Sequence, residues 1–195
     1  MREISPSHNV SADEFLERSP EIAKTIVSKI REEKQNGIRP LPSKSYIDNS
    51  RILNKEKRTL LIDKIAMLVD ENLFGRAEMC RQFASLLQRS LMEYGVRAKV
   101  VNGWAMYFEN GKELFRWKHA WVRCGKEIID CNIDILYENP LVPKKVNVKP
   151  YWGEVKNIPI DRRLREDKNA IEEIDSDVDN IWWPELKEYL KENIK

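Results

Sequence analysis

Residues 118–132 read KHAWVRCGKEIIDCN, and the place of Gly125 and Lys126 within them decides what the stretch builds. Both arms are rich in β-branched and aromatic residues. A glycine followed by one polar residue between such arms is the signature of a type II′ hairpin turn, whose first central position needs a positive φ. With Gly125 and Lys126 at the centre, Cys124 stands opposite Glu127; extended further, Trp121 faces Asp130 and His119 faces Asn132. Side chains alternate across a strand, so His119, Trp121, Arg123, Ile128, Asp130 and Asn132 share one face. His119 and Asp130 are then diagonal neighbours, within reach of a hydrogen bond. A three-residue loop would reverse the parity and send Asp130 through the sheet. The other face, Ala120, Val122, Cys124, Ile129, Cys131 and Ile133, is apolar throughout, and Cys124 and Cys131 read as buried core thiols.

Upstream, VRAKVVNGWAMYF (96–108) and ELFRWKHAWVRC (113–124) are separated by the turn signal ENGK, which completes an antiparallel meander. NLFGRAEMCRQFASLL (72–87) opens a helix predicted from Ala77 to Tyr94. Phe83, Leu86, Leu87, Leu91 and Tyr94 form its broad apolar face and Gly95 its stop, so this helix is expected to be central to the core. An earlier helix, from about Asn54 to Asn72, turns Leu60, Leu61, Ile65, Leu68 and Val69 inward. Another is bounded by Ser19 as N-cap, Pro20 and Gly37, with Ile22, Ile26, Val27 and Ile30 on one stripe; Ser11 and Glu14 form a capping-box pattern before it. IRPLPSKSYIDNS (38–50) reads as a connecting loop. The segment from Tyr137 to Asp161, with Pro140, Pro143, Pro150 and Pro159, reads as a loop wrapping the sheet. From Arg162 the charged sequence reads as helical, and Pro184 starts a last short helix. The expectation is an α+β fold in a single domain, 1–195, with an N-terminal helical part (11–72), a core (73–135), and a wrapping loop with C-terminal helices (136–195).

At 195 residues the chain is long enough to bury a core of its own. Its 34 basic and 32 acidic residues leave a net charge of +2. The charges are interspersed along probable helix faces, with no basic stripe of the kind a nucleic-acid binder shows. MREISPSHNVSADEF has no apolar signal core, and no window approaches the roughly 18 apolar residues of a membrane span, so a cytoplasmic protein without membrane contact is expected. Three cysteines, two histidines and no CxxC pair argue against a disulfide framework and against a metal site.

Cys80 lies within a turn of the predicted start of the central helix. There the positive end of the dipole and the free backbone N–H groups favour a thiolate, and the same N–H groups could cradle an oxyanion. His119 is the only histidine outside the N-terminal tail. Taken singly, a cysteine near a helix start is more often core, a strand histidine more often structural, and Asp130 could be a solvated strand residue. Together they supply a nucleophile, a base and a group to orient the base.

GRAEMCRQFASLLQRSLMEYGVRAKVVNGW (75–104), followed by KHAWVRCGKEIIDCN, resembles the transglutaminase-like superfamily of cysteine enzymes. The shared features are a glycine shortly before the cysteine, an apolar helix ending in GV with a basic residue and alanine after it, a strand containing GW, then HAWV and an aspartate. The resemblance covers Gly75 to Asp134. It implies a papain-like α+β core, with a cysteine-bearing helix packed on an antiparallel meander, and carries the nucleophile to Cys80, the general base and acid to His119 and the orienting acid to Asp130. Cys131 stands where the family has proline, and Arg123 where an acidic residue follows HAWV. Gln82 is a candidate oxyanion donor, and Trp104, Trp121 and Asn132 are candidates to bind substrate or support the site. The resemblance implies a thiol hydrolase acting on a peptide or amide bond of a peptide or protein through an acyl-enzyme, with no cofactor and no metal. The same triad also serves protein-glutamine deamidation and amine transfer. A lapsed enzyme that binds peptides along Trp104, Trp117, Trp121 and Trp152, or an interaction protein using the IWWPELKEYL helix, stays open, as does the oligomeric state.

Overall fold

Helix α1 (Pro20–Gln35) starts on a proline, which fits the first turn because its missing N–H would have no helical partner there. The computed structural model describes residues 20–170 and 175–193, so the capping box at Ser11 and Glu14 and the Ser19 cap lie outside the described residues. Ile26 and Ile30, one turn apart, are the buried positions of α1. Gly37, with φ of 64°, ends the segment. Helix α2 (Lys55–Asp70) is capped by Asn54, whose side chain accepts from the Lys57 N–H at 2.8 Å. Leu61, Ile65, Leu68 and Val69 point inward as expected, but Leu60 is 39% exposed. Ile62 is buried instead, so the buried stripe lies one position further along the chain.

Helix α3 (Cys80–Glu93) begins later than Ala77. The preceding residues make turns, and Gly75 (φ 56°) and Glu78 (φ 61°) are both left-handed, which stops a helix from running through them. Cys80 is thus the first helical residue. The far end closes as a Schellman motif: Gly95 at φ 73°, its N–H on Met92 O at 2.9 Å and the Val96 N–H on Leu91 O at 2.9 Å.

Among the described residues six strands form one mixed sheet in the order β1-β5-β4-β3-β2-β6, where β1 is Ile47–Asn49, β2 Lys99–Glu109, β3 Lys112–Cys124, β4 Glu127–Asp130, β5 Tyr151–Glu154 and β6 Arg162–Glu166. Only β1 and β5 run parallel. The β2-β3-β4 meander is the one expected, and its hairpin has the even register: Cys124 opposite Glu127, Arg123 opposite Ile128, Val122 opposite Ile129. Three expectations are corrected. The 38–50 loop contains β1, a 3₁₀-helix (Ile133–Glu138) leads into the wrapping segment, which contributes β5, and the charged stretch from Arg162 opens with β6 and, among the described residues, is helical from Val178. β1 is only three residues long, a few residues after Pro40 and Pro42, too short for an alternating pattern to register. β6 is an edge strand whose Arg163 and Arg165 are exposed while Arg162 points inward, so its charge density mimics a helix surface.

Helix α3 packs on the Ala120–Val122–Cys124 face of β3, together with Ile129, Cys131 and Trp152. α2 and the C-terminal helix α4 (Trp183–Asn193), entered through a π-helical turn at Val178–Trp182, complete that layer; Trp182, Leu186 and Leu190 are docked in it. On the other face Tyr107, Ala105 and Trp117 are covered by Ile133, Leu136 and Val146.

Candidate active site

Cys80, His119 and Asp130 come from α3, β3 and β4, and the hairpin turn governs how they meet. Gly125 takes φ of 57° while Lys126 stays out of the left-handed region, as a type II′ turn requires. The even register puts His119 and Asp130 on one face, and His119 Nε2 lies 2.7 Å from Asp130 Oδ1, both side chains 1% exposed. β4 ends at Asp130, so the expected pairing of His119 with Asn132 does not form. The chain turns away into the 3₁₀-helix, which leaves the β3 edge open at His119, and the first turn of α3 enters there. With Nε2 engaged by Asp130, Nδ1 is the ring nitrogen left for the hydrogen bond with the Cys80 side chain.

Burial opposes the charged form of His119. The Asp130 carboxylate, by its charge and its hydrogen bond, overcomes that opposition, Cys80 adds to it, and the imidazole is pushed up to about 10. His119 is therefore an imidazolium at neutral pH. The other two thiols are held protonated: burial, with Glu127 nearby, pushes Cys124 up to about 12, and burial pushes Cys131 well up. Cys80 alone is half-exposed. The first helical bond of α3 runs from the Phe83 N–H to Met79 O at 3.0 Å, which leaves the N–H groups of the first turn without helical carbonyls.

A small cavity opens at this point. Cys80, His119 and Asn132 line it with Ile26, Trp117 and Asn139. Asn132 serves as a support, since its Nδ2 donates to Arg76 O at 3.1 Å. Trp121 is buried beside the imidazole, its ring centroid 6.4 Å away, and cannot meet a substrate. Gln82 is not placed to stabilise an oxyanion: its amide donates to Asp175 Oδ2 at 2.7 Å, in the C-terminal segment. Trp104 lies on the opposite face of the sheet, because its neighbour Gly103 is the residue paired with His119. Of the tryptophans considered for a peptide groove, Trp152 is core and only Trp117 reaches the cavity.

Two buried arginines frame the site, neither of them singled out in the sequence. Arg162, at the start of β6, places Nη1 3.6 Å from Asp130 Oδ2. Its Nη2 donates to the carbonyls of Asn147 and Lys149, each at 2.7 Å. Asp130 therefore sits between an imidazolium and a guanidinium. The only sequence cue was parity, Arg162 and Leu164 against Arg163 and Arg165. Arg76 donates to both carboxylate oxygens of Asp134, at 2.7 and 3.0 Å, and to Pro40 O at 2.9 Å. It ties the turns before Cys80 to the segment after Asp130.

Comparison of the chain with family models, curated proteins and solved structures finds no match. Among the described residues no helix is long and apolar enough to cross a membrane, and no group of three His, Cys, Asp or Glu side chains could hold a metal ion.

Proposed function

We propose that the chain is a thiol hydrolase of the transglutaminase-like kind, cleaving a peptide or amide bond through an acyl-enzyme. The observation that carries this reading is the buried 2.7 Å contact between His119 and Asp130 at the cavity where Cys80 begins its helix. Cys80 Sγ attacks the carbonyl carbon as the thiolate, and the first-turn N–H groups of α3 hold the oxyanion. As the tetrahedral intermediate collapses, the C–N bond breaks and His119 gives its proton to the departing amine. Water then adds to the thioester, His119 takes one of its protons, and the acid leaves as Sγ is released. Asp130 fixes the ring orientation throughout and stabilises the imidazolium.

Incubation with a peptide library, read by mass spectrometry, tests this. The expected result is cleaved peptides and a trapped adduct on Cys80, abolished in Cys80→Ala and reduced about 10³–10⁴-fold in Asp130→Asn. Turnover retained by Cys80→Ala, or no adduct and no cleavage in the parent, overturns it. A primary amine added as competing acceptor separates the branches, since its incorporation into glutamine side chains would reassign the reaction to acyl transfer.

A further inference from the structure

The sheet face turned away from His119 is only partly covered. α3 runs along it from the His119 level, where Cys80 sits, to the turn end, where Gln88 donates to Ala98 O at 3.2 Å. Ala120 is the last β3 residue beneath the helix in the core. One residue pair further along, about 7 Å at strand spacing, the face carries a different set of side chains. Trp104 lies between Lys118 on β3 and Arg165 on β6, and Met106 lies between Arg116 and Arg163. Lys118, Arg163 and Arg165 are exposed, and Trp104, Met106 and Phe108 half-buried. The Lys118 ammonium is 5.9 Å from the Trp104 ring centre and the Arg163 guanidinium 4.4 Å from that of Phe108. Arg116 is paired with Glu113, whereas Lys118, Arg163 and Arg165 pair with no carboxylate among the described residues.

We propose that this face docks an acidic, extended segment of the polypeptide substrate and leads it to Cys80, an inference that rests on the hydrolase reading above. Arg163 and Arg165 are two residues apart on one strand, the interval at which acidic side chains on one face of an extended peptide recur. The row of Trp104, Met106 and Phe108 between the cations gives that peptide an apolar floor, and cations held over aromatic rings are fixed in place before it arrives. A peptide fits better than a nucleic acid: Glu113, opposite Phe108 and paired with Arg116, interrupts the patch, and the chain's net charge is only +2.

The test is fluorescence polarisation with a labelled peptide alternating glutamate and leucine, against the same peptide with glutamine for glutamate. The full chain should bind the acidic peptide about tenfold tighter, and lose most of that preference at 0.5 M salt. It should lose it also in the Arg163→Glu/Arg165→Glu variant and in Lys118→Glu, and Trp104→Ala should weaken both peptides. An unchanged rate of Cys80 alkylation in each variant establishes that the fold and the thiol are intact. Equal affinity for both peptides, indifference to charge reversal, or tighter binding of a single-stranded oligonucleotide of matched charge overturns the proposal. Peptide cleavage that ignores these substitutions sinks the docking face alone, whereas charge-selective binding without any cleavage sinks the hydrolase reading and leaves a peptide-binding face.

Discussion

Asp130 holds two cations at once, and most of what the site does follows from that. At neutral pH iodoacetamide should modify Cys80 well before Cys124 and Cys131, whose burial holds them protonated; peptide mapping of the alkylated protein checks it. His119 makes a second prediction. Its folded value, about 10, is raised above the ordinary 6.5, so the stability it contributes is fully present below pH 6.5 and is lost as pH rises through 10. Asp130→Asn removes the main cause of the rise, so the gap in urea stability between parent and variant should narrow steadily from pH 7 to pH 10. Arg162→Met leaves Asp130 with one buried partner in place of two and should cost about 3 kcal/mol in the same assay, a loss that slows Cys80 alkylation as the imidazole loosens. The meeting of His119 with Asp130 was readable from the chain because a glycine-initiated turn fixes parity, and Cys80 was singled out by its place near a helix start. Arg162 was not, since a strand arginine facing inward looks locally like its exposed neighbours.

Among the elements, the β3-β4 turn carries the most consequence for the fewest residues. A Cβ at Gly125 would meet nothing within 4 Å, so Gly125→Val should cost only the backbone strain of a positive φ, about 1–2 kcal/mol by thermal or urea unfolding. One alanine inserted after Lys126 is a harsher change, because it shifts Asp130 to the α3 face of the sheet. Cys80 labelling that stays as fast in that insertion variant as in the parent would contradict the dependence on register. The meander and α3 were legible because their periods are long and their stops are glycines. The helix start was misjudged by three residues, since nothing in the composition of GRAEMC signals a left-handed Glu78. β1, β5 and β6 escaped because they are short or densely charged and gain their order from pairing.

On the scale of the whole molecule, a part outside the 73–135 core helps to build the cavity. Ile26 of α1 lines it, and Arg39, just beyond α1, bonds to Asp70 at the end of α2, to Glu33 of α1 at 2.7 Å and to Glu138 after β4. Burial pushes Glu138 up, Arg39 opposes it, and the result is about 7. Because that value exceeds the ordinary 4.5, the folded chain binds the extra proton between the two, and stability falls as pH rises through that window. Glu138→Gln should flatten the dependence between pH 5 and pH 8, as urea midpoints would record.

β1 has consequences in time as well as in space. It can join the sheet only by pairing with β5, about a hundred residues later in the chain, and Arg162 follows later still. A growing polypeptide therefore presents Cys80, His119 and Asp130 before β5 and β6 exist to enclose them. Pairings so distant in sequence form late in folding. The environment of Cys80, His119 and Asp130 is therefore expected to be completed only after β5 and β6 have joined the sheet.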